Sequence, residues 1–79
     1  MQENREKRTK DDMIESYRDY LHRIAVSDTL IEANNWTAMA EQIATEMSDL
    51  KYINLKEEKD MKTTAKVFLN KTTNKIMED

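Results

Sequence analysis

Seventy-nine residues with a formal net charge of −3 make one small domain, and the absence of cysteine, glycine and proline removes whole classes of chemistry from it. Phosphate-cradling loops, nucleophile elbows and dinucleotide fingerprints need glycine for close backbone approach or positive φ. Without cysteine there is neither a disulfide framework nor a thiolate metal site, and one histidine leaves no multi-histidine site.

Turns must then be built from Asn, Asp, Ser and Thr, which favours helices joined by short connections over a sheet with tight hairpins. No apolar run approaches the ~18 residues of a membrane span, and the first residues are charged where a secretion signal needs an apolar core. The expected location is the cytoplasm. Charge is uneven along the chain. Met1 to Ser27 balances six acids with six bases, Asp28 to Leu50 holds five acids and no base, and Lys51 to Met77 sets seven lysines against Glu57, Glu58 and Asp60.

Residues 1–10 carry no apolar side chain after Met1 and predict a charged, mobile tail, with residues 11–77 as a single helical domain. Asp11 to Val26 reads as the first helix, with Thr9 and Asp12 at capping-box spacing. Met13, Ile14, Tyr17, Tyr20, Leu21, Ile24 and Ala25 cover an arc of about 140° on it. Asp19 and Arg23 pair at i, i+4 on the opposite side, where His22 also falls as an ordinary surface residue.

Ser27-Asp28 punctuates the pattern, and the apolar phase restarts out of register at Trp36. The spacing predicts a short helix over 28–33 capped by Ser27, a break at Asn34-Asn35, and a helix from Trp36 to Leu50 capped by one of those asparagines. Trp36, Met39/Ala40, Ile43, Met47 and Leu50 lie within about 60° of Ile43, with Glu41, Thr45 and Asp49 on the far side. Trp36, Ile43, Met47, Leu21 and Ile24 are the expected core. Two helices and a Trp-led third resemble the arrangement of helix-turn-helix proteins, although the turn has no glycine and the outer face of 36–50 has no Arg or Lys to read bases.

Lys51 to Thr73 admits two readings. As a helix it aligns Met61, Ala65, Phe68, Leu69, Thr72 and Ile76 on one face, with Asn70 to Asn74 as a helix end or a fraying tail. As strands, Ile53/Leu55 and Ala65/Val67/Leu69 alternate around a turn at Glu57 to Asp60. The helix is preferred because no glycine or Asn-Gly pair marks a hairpin. The expected fold is therefore all-α, a small three- to four-helix bundle, the alternative being an α+β winged-helix-like fold with a C-terminal strand pair. Asn35-Trp36-Thr37 and Asn70-Lys71-Thr72 match the glycosylation sequon by chance.

No ordered catalytic set, metal-ligand spacing or cofactor motif stands out, so neither an enzyme nor a cofactor is expected. Small, charged chains of this kind resemble regulators carried by phages and mobile elements. The expectation is a non-enzymatic helical regulator, an adaptor or inhibitor that binds another protein; the alternative is a small helix-turn-helix or winged-helix nucleic-acid-binding regulator. Lys59, Lys62 and Lys66 share a stripe beside the apolar face and are the candidate partner contacts, competing with a role in pairing Glu57, Glu58, Asp60 and the acidic middle helix. A homodimer is also expected, with Tyr17 and Tyr20 as its surplus apolar contacts.

Overall fold

The computed structural model describes residues 8–78 and holds three helices: α1 Lys10–Ala25, α2 Leu30–Asp49 and α3 Leu55–Glu78. The fold is all-α, a small helical bundle. No strand occurs among the described residues, and the winged-helix alternative is not supported. The physical reason sits at Asn54. Its Oδ1 accepts from the Glu57 amide at 2.8 Å, while the Glu57 carboxylate accepts from the Asn54 amide at 2.9 Å. This reciprocal capping box satisfies two otherwise unpaired donors and starts a helix at Leu55. Ala65, Val67 and Leu69 then lie inside α3, which continues through Asn70–Asn74 instead of fraying there.

α1 starts where Thr9 accepts from the Asp12 amide at 3.1 Å. Its other end has no glycine, yet every one of its last four carbonyls is engaged. His22 O accepts from the Val26 amide and Arg23 O from the Ser27 hydroxyl. Ile24 O accepts from the Ser27 amide and from Thr72 Oγ1 of α3 at 3.0 Å, and Ala25 O accepts from Lys75 Nζ at 3.1 Å. Two side chains of α3 thus complete the end of α1. That explains how buried polar Ser27 and Thr72 are tolerated.

α2 departs most from expectation. Residues 30–49 form one uninterrupted helix, with no break at Asn34-Asn35. Neither asparagine caps anything: Asn34 Nδ2 donates back to Leu30 O at 2.8 Å within the helix. The cap is Thr29, whose side chain accepts from the Glu32 amide, and the Glu32 carboxylate accepts from the Asp28 amide. With no glycine or proline at 34–35, two asparagines cost too little helix propensity to break what packing holds. The buried stripe is Ala33, Thr37, Ala40, Ile43, Ala44 and Met47. It is rotated by about 60° from the expected face. Trp36 is consequently only half-buried, while Met39 and Leu50 are 41% and 53% exposed. Alanines at 33, 40 and 44 lie at the centre of the stripe because they let two neighbouring helices approach closely, and a hydrophobicity count underweights them.

The turn into α3 closes α2 with a Schellman motif. The Tyr52 amide donates to Met47 O at 2.9 Å and the Lys51 amide to Ser48 O at 3.0 Å. Lys51 carries φ 67°, the left-handed conformation that glycine normally supplies. Tyr52 packs on the core beside Ile53 and donates its hydroxyl to Arg8 O at 2.8 Å. Arg8 Nη2 also donates to Ser16 Oγ, and Lys10 begins α1. Residues 8–10 of the expected tail are exposed but tied by these bonds to α1 and to Tyr52, and residues 1–7 lie outside the described residues.

Cross-contacts give the helix directions. Tyr17 meets Met61 and Ile24 meets Thr72, so α1 and α3 run parallel. Glu41 meets Lys66 and Thr45 meets Glu58, so α2 is antiparallel to α3. α2 packs extensively on both neighbours, and α1 and α3 touch each other least. Met13, Tyr17, Ala40, Ile43, Met47 and Ala65 form the core cluster.

Candidate functional site

The predicted lysine stripe exists on α3, but most of its charge is already engaged. Lys62 Nζ lies 2.7 Å from Glu58 Oε2, and Lys66 Nζ lies 3.0 Å from Glu41 Oε2 of α2. Lys59 is exposed and forms no ion pair among the described residues. Glu58 has its carboxyl pKa lowered, first by the hydrogen bond from Lys62 and then by the Ser48 hydroxyl. One ion pair, Glu41–Lys66, joins the acidic middle stretch to the basic stretch across the α2–α3 contact, while Glu58–Lys62 lies within α3.

Tyr17 and Tyr20 separate completely. Tyr17 is 7% exposed, and its hydroxyl donates to Met61 O at 2.6 Å. Burial raises its pKa, because the phenolate would have to form without water. It belongs to the core, and only its edge reaches the cavity between α1 and α3. Tyr20 is half-buried and stacks on Trp36 with ring centroids 5.8 Å apart and planes 23° from parallel. The Arg23 guanidinium covers the same indole at 4.8 Å while its Nε donates to Asp19 at 2.8 Å. These contacts saturate the indole from within the fold. They leave the Tyr20–Trp36 pair as a lid over the α1–α2 contact.

The surface that sequence reasoning missed is the seam between α1 and α3. Two cavities lie along it. One, of ≈ 440 Å³, is lined by the apolar Ile14, Tyr17, Leu21, Ile53 and Met61, with Lys10, Arg18, Glu57 and Asp60 at its edges. The other, of ≈ 220 Å³, lies further along between Ala25 and Phe68, with Lys71, Thr72 and Lys75. Ile14, Leu21, Met61 and Phe68 are all half-buried. They face the gap left because α2, the helix behind, takes most of the packing from both neighbours. The seam was hidden because periodicity identifies an apolar face without saying which part of it another helix covers.

Among the described residues no group of His, Asp or Glu is arranged to hold a metal ion, and His22 is exposed on the polar side of α1. No helix is long and apolar enough to cross a membrane. Compared with models of known protein families, with curated proteins and with solved structures, the chain matches none of them.

Proposed function

We propose that this chain is a non-enzymatic regulator, an adaptor or inhibitor that binds another protein by seating part of it in the α1–α3 seam. One observation carries the reading. Four large apolar side chains, Ile14, Leu21, Met61 and Phe68, stand half-buried along the gap between two parallel helices. Scattered apolar residues on a surface are ordinary, whereas a continuous apolar row in a concave seam is the geometry of helix-in-groove recognition. Apolar burial there supplies about 25 cal/mol per Å² covered, before the cost of association.

The test is capture from the native host followed by sizing of the complex, comparing wild type with Ile14→Ser and Phe68→Ser. Both variants must first show the wild-type helical circular-dichroism spectrum. Capture lost in both supports the seam; capture retained by both removes it.

The nucleic-acid reading has one feature in its favour, the run from Met61 to Met77 with lysines at 62, 66, 71 and 75 and no acid. Against it, Lys62 and Lys66 are paired internally, and α2 and α3 are antiparallel where helix-turn-helix units cross at a steep angle. A salt titration on duplex DNA decides, since counterion release makes such binding fall steeply with salt.

A further inference from the structure

Resting on the seam as the binding surface, we infer that its occupant is an amphipathic helix of a different protein, with carboxylates on the turn that lies beside Lys71 and Lys75. The seam follows α1, whose 16 residues run for about 24 Å. A helix of some four turns fills that length, with apolar side chains at i, i+3, i+4 and i+7 facing Ile14, Leu21, Met61 and Phe68.

The charge around the seam is unequal at its two ends. At the Ile53 end Lys10 and Arg18 stand beside Glu57 and Asp60, and the four charges balance. At the Phe68 end the cavity is lined by Lys71 and Lys75 with no acid. From Met61 to Met77 the helix holds no acidic residue, and Glu78 is the next one after it. Lys75 directs its ammonium to Ala25 O at 3.1 Å, while the exposed Lys71 has no ion-pair partner among the described residues. An apolar groove with one cationic end favours a ligand that brings negative charge to that end and nothing in particular to the other. Such complementarity orients the ligand as well as attracting it.

A second copy of this chain does not meet that demand. Across a two-fold axis with antiparallel seams, it would set its balanced end, Lys10 and Arg18 with Glu57 and Asp60, against Lys71 and Lys75. Its acidic α2 would bring charge, but that contact joins two different faces and so builds a ring or a filament rather than a two-fold pair. The fitting occupant is therefore a separate acidic, amphipathic helix.

Three 18-residue fluorescent peptides test this, each with Leu at i, i+3, i+4 and i+7 repeats and a final turn carrying Glu, Gln or Lys. The full chain is titrated against each by fluorescence anisotropy at low and moderate salt. The Glu peptide is expected to bind at least tenfold more tightly than the Lys peptide, with the Gln peptide between them. Lys71→Glu, which leaves the Lys75–Ala25 bond in place and balances the charge of this end, is expected to erase that order; Phe68→Ser is expected to weaken all three peptides.

Equal affinity for the three peptides, or an order unchanged in Lys71→Glu, would overturn the inference. If binding is equal but still lost in Phe68→Ser, the seam reading stands and only the charge assignment falls. Displacement of the Glu peptide by duplex DNA would make the end a phosphate site and overturn the inference. So would a wild-type dimer, seen by sedimentation at high micromolar concentration, that Leu21→Glu dissociates.

Discussion

The two sides of α3 are built differently. Toward α2 it meets a stripe of alanines with Ile43 and Met47, closed over by Glu41–Lys66 and Glu58–Lys62. Toward α1 it meets larger side chains that remain half-exposed, joined by the Tyr17–Met61, Thr72–Ile24 and Lys75–Ala25 hydrogen bonds. Small residues permit close helix approach and full burial, whereas bulky ones on both partners hold the helices apart. One chain thereby carries a finished contact and an unfinished one. A domain this small can spare only a little apolar area for the latter.

The sharpest way to break that contrast is to cut equivalent bulk from each side. Met47, fully buried, should lose ~2–5 kcal/mol on Met47→Ala, most of what a domain of this size possesses. Phe68→Ala in the half-exposed seam should cost only about 1–2 kcal/mol, since part of that ring is already in water. Urea unfolding of the two variants gives the comparison directly. Similar losses would mean that the seam is as closed as the α2 side.

Alkaline pH should loosen the α1–α3 contact selectively. The Tyr17 hydroxyl donates to Met61 O and its pKa is raised by burial, so the folded state holds that proton more tightly than the unfolded chain. Its contribution is fully present below the ordinary tyrosine pKa of about 10 and is lost as pH rises through the higher folded value. Tyr17→Phe should cost ~0.5–1.5 kcal/mol at pH 7 and flatten the fall in melting temperature above pH 10. An unchanged alkaline slope in the variant would remove Tyr17 from the explanation.

The turn joining α2 to α3 gives a smaller effect of opposite sign. Lys51 at φ 67° bears the left-handed strain of a residue with a Cβ, so Lys51→Gly should raise stability by ~0.5–1 kcal/mol despite the freer unfolded chain. A thermal melt that moved downward would show that the lysine side chain contributes there.

Acid pH should act on the α2 side, and least of all. The lowered pKa of Glu58 places its contribution above the ordinary carboxylate pKa, to be lost as pH falls through the folded value. Lys62→Gln should abolish most of that acid-side slope while changing the neutral-pH melting temperature little, as expected of a pair partly open to solvent. A melt series from pH 7 to 3 on both proteins checks it.

Several features were determined by the sequence alone. The preference for an all-α bundle, the start of α1 at Thr9 and the stop at Ser27-Asp28 follow from local spacing and capping, because these interactions are made within a few residues of one another. Ile24, Ile43 and Met47 are in the core as their periodicity predicts, while Leu21 and Trp36, on the same predicted faces, are only half-buried. Tertiary structure decided the rest. Residues 34–35 stay helical because Ala33 and Thr37 are packed on both sides, and Trp36 moves outward because alanines occupy the centre of the stripe. The lysine stripe was legible together with its ion-pair role, Lys62–Glu58 being local, but that Glu41 is the partner of Lys66 was decided only when α2 folded against α3. The α1–α3 seam is the furthest from the sequence. Periodicity records that Ile14, Leu21, Met61 and Phe68 avoid water, and only the packing of the three helices determines that none of the described residues covers them.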